Sequence, residues 1–146
     1  MTDWRPSSGV RAAESRAALL RRVRDYFDGA DVLEVDTPAL GRYAISDPQI
    51  ESLAIPESQV SSRPLYLHTS PEFCMKRLLA AGYPDIFSIC RVFRDGEAGH
   101  RHQPEFTMVE WYRRDFDLQG IVEDTMQLIV EALGDAAPTA SAVVVD

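Results

Sequence analysis

The residues best suited to chemistry stand between Phe93 and Tyr112. Two strand-like runs, 86–93 and 105–113, flank a loop that holds Arg94, Glu97, His100, Arg101 and His102. Strand alternation puts Phe106, Met108, Glu110 and Tyr112 on one face, and Glu105, Thr107, Val109 and Trp111 on the other. The first face is an odd choice for a core, because it mixes an aromatic ring, a thioether, a carboxylate and a phenol. Such a set suits a flat aromatic ligand at one end and an amine at the other. The loop supplies positive groups that suit phosphate, since a guanidinium presents a planar fork of donors. A plainer reading exists. A strand with one acidic residue and a tyrosine is common, and basic loop side chains ordinarily face solvent, so the pattern alone leaves both open.

The elements that must position these groups follow from periodicity. Ala13, Ala17, Leu20, Val23, Tyr26 and Phe27 recur at helical spacing. They predict a helix from Val10 to Phe27, with Ser7 or Ser8 as cap and Gly29 at its end. Its outer face, with Arg16, Arg21, Arg22 and Arg24, reads as solvated. Val32 to Val35 reads as a short strand, and Pro38 stops it. Residues 41–63, rich in Ser, Pro and Gln, read as a loop with a weak edge strand near 50–55. Leu65 to His68 reads as a buried strand running into Thr69-Ser70-Pro71-Glu72. There Ser70 serves as N-cap, Pro71 as first helical residue and Glu72 as a first-turn charge, for a helix to Ala81 capped by Gly82. Helix starting therefore explains Ser70 and Glu72 without any ligand. Asp117 caps an amphipathic helix through Leu133, ended by Gly134. The plan is an arm over 1–9, a core over 10–134 and a tail over 135–146, in which Ala142 to Asp146 reads as a strand.

Composition bounds the function classes. At 146 residues, 45% hydrophobic and 26% charged, the chain has the profile of one soluble globular domain. No apolar run approaches the roughly 20 residues of a membrane span, and no apolar signal region follows Met1-Thr2-Asp3-Trp4-Arg5. A cytoplasmic location is the expectation. The formal charge of −8 disfavours nucleic acid as a main partner. Cys74 and Cys90 match no zinc or redox spacing and read as reduced, buried thiols. No His, Cys or carboxylate cluster has metal-ligand spacing. His68 and His100 read as bystanders, and Glu105 as structural.

Three segments go further than pattern. Phe93-Arg94, followed by the run His102-Gln103-Pro104-Glu105-Phe106-Thr107-Met108-Val109-Glu110-Trp111-Tyr112, resembles motif 2 of the class II lysyl-tRNA synthetase group. Thr69-Ser70-Pro71-Glu72 with Met75-Lys76-Arg77-Leu78-Leu79 resembles the group's amino-acid-site segment. Leu33-Glu34-Val35-Asp36-Thr37-Pro38 resembles motif 1, the dimer-forming strand and its proline. The resemblance covers residues 10–134 and implies an α+β fold: a class II synthetase-like antiparallel sheet flanked by helices, in a homodimer.

The resemblance also implies the chemistry, attack of an amino-acid carboxylate on the α-phosphate of ATP. Arg94 would be the catalytic group, holding carboxylate and α-phosphate together. Asp95, Gly96, His102 and Gln103 would join Arg94 around ATP, with Phe106 stacked on adenine and Arg101 near the outer phosphates. Ser70, Pro71, Glu72, Glu110 and Tyr112 would line the amino-acid pocket. Gln103 stands where the group usually has asparagine. Gly96 stands where synthetases have a glutamate, with Glu97 beside it. The first core helix begins so close to Met1 that no anticodon-binding barrel is expected before it. The Glu110-Trp111-Tyr112-Arg113 ending is more similar to a truncated branch, the elongation factor P–(R)-β-lysine ligases. That branch implies ATP as co-substrate, (R)-β-lysine or lysine as the amino acid, elongation factor P as acceptor and no use of tRNA. A class II catalytic domain is longer than this chain, which has no Gly-x-Gly. The glycine-rich motif 3 and the Mg²⁺ ligands are therefore expected outside it. A class II-like binding or dimerisation module, and a lysyl-tRNA synthetase fragment, stand as alternatives.

Overall fold

The computed structural model describes residues 5–6, 8–57, 59, 61–96, 99–100 and 102–134. In chain order the elements are α1 (Val10–Gly29), β1 (Leu33–Glu34), β2 (Leu40–Gly41), β3 (Ala54–Ile55), β4 (Leu65–Leu67), α2 (Glu72–Ala80), β5 (Ile86–Phe93), β6 (Glu105–Tyr112) and α3 (Leu118–Leu133). They fall into two units, one built on 1–31 with 115–146 and the other on 32–114. Ser7, Glu97, Arg101 and the tail strand expected at 142–146 lie outside the described residues.

The first unit pairs α1 with α3. The N-cap of α1 is Gly9, not Ser7 or Ser8, and its extended backbone turns the Gly9 carbonyl to the amides of Ala12 and Ala13. Past Gly29 the chain leaves through Asp31 at φ 55, a left-handed turn that a short polar side chain tolerates. At the start of α3 the Asp117 carboxylate accepts the Gly120 amide at 2.8 Å, and Gly134 follows its last residue at φ 55, both as the sequence predicts. The helices run antiparallel: Arg22 meets Ala132, and Tyr26 meets Asp124. Arg22 departs from the solvated face read for it, since its Nε donates to the Ala132 carbonyl at 2.8 Å. Carbonyls in a last helical turn have no intrahelical donor, so this bond fills a standing need. The Tyr26 hydroxyl donates to the buried Asp124 carboxylate at 2.5 Å. Val23, Phe27, Leu128 and Ala132 are buried.

The second unit holds two three-stranded sheets. In the first, ordered β1-β5-β6, β5 and β6 form an antiparallel hairpin in register from Ile86↔Tyr112 to Phe93↔Glu105. On its other edge β1 runs parallel to β5, which corrects the expectation of an antiparallel sheet throughout. A parallel partner needs a long crossover, and here the whole second sheet and α2 lie between the two strands in sequence. The second sheet, ordered β2-β4-β3, is antiparallel. Strand β2 was not anticipated, β3 is shorter than the run read at 50–55, and β4 is half-buried rather than buried.

His68 joins the two sheets. Its amide donates to Ala39 at 2.8 Å, its carbonyl accepts from Phe93 at 3.0 Å, and its Nε2 donates to the Arg91 carbonyl at 2.6 Å. The residue read as a bystander is thus structural. Helix α2 begins at Glu72 with Pro71 as N-cap, one residue later than expected. Ser70 is thus not the N-cap, although its hydroxyl, one residue before it, accepts the Glu72 amide at 3.3 Å. The far end closes as a Schellman turn, with Gly82 N–H on Leu79 at 2.9 Å and Tyr83 N–H on Leu78 at 3.1 Å. Gly82 sits at φ 90, where a β-carbon would be strained. Pro71, Met75, Ile86 and Val92 are fully buried. Among the described residues no helix is long and apolar enough to cross a membrane.

Candidate active site

Register decides what the β5–β6 hairpin presents. Residues paired across antiparallel strands share a face, so Phe106, Met108, Glu110 and Tyr112 lie with Val92, Cys90, Ser88 and Ile86. Small side chains stand opposite Glu110 and Met108, which leaves room above them. The other face carries the exposed Arg91–Glu105 ion pair at 3.3 Å, in line with a structural Glu105. Exposed pairs of this kind contribute little.

Arg94 is the first residue past β5, and its amide donates to Pro104 at 2.9 Å, extending the ladder by one step. Its guanidinium lies 5.2 Å over the centre of the Phe106 ring, a cation–π contact. The residue expected to grip phosphate and the ring expected to hold adenine are therefore neighbours.

Glu110 is half-buried and accepts the Tyr112 hydroxyl at 2.9 Å. Burial pushes its carboxyl above the usual range, the Tyr112 bond pulls it partly back, and the Glu72 charge adds to the rise. Burial and the Glu110 acceptor raise the Tyr112 phenol well above its ordinary value, so it stays a proton donor. A cation entering here would meet a carboxylate that has no ion-pair partner among the described residues, with only the more distant charges of Lys76 and His68 acting on it. Glu72 differs, because Lys76 one turn later reaches its carboxylate at 2.5 Å.

A cavity of about 560 Å³ brings Ser70, Glu72, Arg94, Met108 and Glu110 together. Its wall is completed by residues the sequence did not assign to the pocket: Thr69 before α2, Phe73 in the first turn of α2, and Ile45, Ser46, Asp47, Pro48 and Ile50 from the loop before β3. The one usable signal there was Ser46-Asp47-Pro48, a turn signature without chemical specificity. Three carboxylates face one guanidinium in this cavity, which matches a ligand with ammonium groups and a carboxylate or phosphate. Phe106 and Tyr112 adjoin it through Arg94 and Glu110. Pro71 is buried at the head of α2 and shapes that corner without lining it.

The remaining expected ATP residues lie elsewhere. Asp95, Gly96, His102 and Gln103 are exposed and do not line the cavity. Asp95 donates its amide to Glu51 at 2.9 Å, and its carboxylate accepts the Gly96 amide at 2.8 Å. Gly96 has φ 73, so the turn itself favours glycine at this position. Gly99 and His102 exchange backbone bonds at 3.0 and 3.3 Å and close the loop tip. Cys74 and Cys90 are free but half-buried rather than buried, and burial pushes the Cys90 thiol up. Among the described residues no three His, Cys, Asp or Glu side chains group to hold a metal ion.

Comparison with known proteins bears on this geometry. Residues 1–143 match the model of the class II tRNA synthetases (D, K and N). The chain belongs to this family. It is also similar to proteins named elongation factor P–(R)-β-lysine ligase. That of Pseudoalteromonas translucida is 44% identical over 142 residues, covering 93% of this chain and 43% of the relative. That of Photobacterium profundum is 41% identical over 134 residues, covering 88% and 42%. That of Mannheimia succiniciproducens is 43% identical over 141 residues, covering 94% and 43%. The chain thus spans less than half the length of these curated relatives.

Proposed function

We propose that this site activates (R)-β-lysine, or lysine, with ATP as an aminoacyl-adenylate and transfers it to a lysine side chain of elongation factor P. The observation that carries the reading is the cavity in which Arg94, stacked on Phe106, faces Glu110. The names of the relatives supply the acceptor and the amino acid.

In the first step a carboxylate oxygen of the amino acid attacks the α-phosphorus of ATP and pyrophosphate leaves. Two anions must meet, and the Arg94 fork offsets their repulsion by holding both. Glu110, with Tyr112 fixing its orientation, receives an ammonium group. Ser70 and Glu72 bound the same pocket, and Phe106 offers the adenine a ring face. His102, Gln103, Asp95 and Gly96 would serve ATP from the exposed loop. In the second step the lysine amine of the acceptor attacks the acyl carbon, an amide forms, AMP leaves and the amine loses a proton. The magnesium ion that such chemistry implies would be held by residues outside this chain. The reading includes a cytoplasmic homodimer formed through the Leu33–Pro38 segment, and no tRNA.

Intact-mass measurement of elongation factor P after incubation with the protein, ATP and (R)-β-lysine tests the reading. A gain of one β-lysyl group is the expected result. An unchanged mass, with tRNA aminoacylated instead, would move the chain to the synthetase reading.

A further inference from the structure

We propose that Asp47 holds the second ammonium group of the amino-acid substrate and makes the site selective for diamino acids over acids with one amine. This deepens the function proposed above and rests on it. A diamino acid brings two ammonium groups and one carboxylate. The carboxylate matches Arg94. Of the three acidic residues in the cavity wall, Glu72 already has the Lys76 ammonium at 2.5 Å. Glu110 and Asp47 are left for the two ammonium groups.

The surroundings of Asp47 suit that task. One carboxylate oxygen accepts the Gln49 amide at 2.8 Å, and the other has no hydrogen-bond or ion-pair partner among the described residues. The turn does not explain the charge, because an asparagine carbonyl would accept the same amide equally well. The loop is also held in place at both ends. The Ile45 amide donates to the Ser52 hydroxyl at 3.1 Å, and the Asp95 amide, next to Arg94, donates to Glu51 at 2.9 Å. Within it the Ile50 amide donates to the Asp47 carbonyl at 3.3 Å. A carboxylate fixed on the rim of a cavity that contains Glu110 is a preorganised cation partner.

The test is calorimetric titration of the 146-residue chain with (R)-β-lysine, lysine and norleucine, the last having a single amine. Asp47→Asn keeps the turn acceptor and removes the charge. It is expected to weaken both diamino acids about tenfold, the size of one charge-assisted bond, and to leave norleucine within about twofold. Asp47→Glu, which keeps the charge, is expected to retain part of the preference. Diamino acids bound equally well by the unmodified chain and Asp47→Asn would overturn the proposal while leaving the parent reading intact. An unmodified chain that binds none of the three would overturn both. An unchanged circular dichroism spectrum for each variant excludes misfolding as the cause.

Discussion

Arg94 carries the charge problem of the proposed reaction. Its substitution by alanine is expected to lower amino-acid-dependent adenylate formation by about 10²–10³-fold, the usual cost of losing a donor aimed at developing charge. Arg94→Lys is expected not to restore the rate, since an ammonium is a point charge without the planar fork. Steady-state kinetics with thermal denaturation as a folding control checks both. Glu110 gives a pH prediction with two signs. Its carboxyl titrates above the ordinary 4.5 because of burial, so the neutral form persists to higher pH. Amine binding needs the ionised form and should strengthen as pH rises through that raised value. Stability behaves oppositely. Glu110's contribution is fully present below the unfolded value and is lost as pH rises through the folded one. Glu110→Gln should therefore flatten the binding profile and raise the melting midpoint at neutral pH. A lowered midpoint would show that the Tyr112 bond outweighs the burial cost.

At the scale of elements, the parts that fold by local rules were legible in the sequence. Strands β5 and β6 read correctly because each is a continuous run of eight residues rich in apolar and aromatic side chains, flanking one loop, and α3 because Asp117 and Gly134 bracket it. Asp117→Ala should cost about 1 kcal/mol in urea unfolding, with Asp117→Asn close to neutral. Strands of two residues carry no periodicity, so β2 went unread and the parallel pairing of β1, set by distant contacts, was read as antiparallel. The same holds for Arg22, whose partner on α3 is far away in sequence. In the site, Arg94, Glu110, Ser70 and Glu72 were legible through resemblance to a family, and they line one cavity. Asp47 was not, because a turn accounts for an Asp-Pro pair before any ligand is considered. Gly96, placed around ATP by the same resemblance, sits at φ 73 in a turn outside that cavity.

For the whole molecule, a net charge of −8 sets what it attracts. A chain this acidic should not retain tRNA in filter binding at physiological salt, since phosphate contacts need clustered Lys and Arg. Salt-dependent retention would contradict that and return the synthetase reading to first place. Against this acidic background the proposed function requires the guanidinium of Arg94 to attract the anionic end of the substrates locally, with Glu110 and Asp47 proposed to receive the cationic end. The most direct test of that division is exchange of labelled pyrophosphate into ATP, which reports adenylate formation without needing the acceptor protein. Exchange that requires (R)-β-lysine or lysine and disappears in Arg94→Ala is the predicted result. No exchange with either amino acid, or exchange unaffected by the loss of Arg94, would contradict the proposed function.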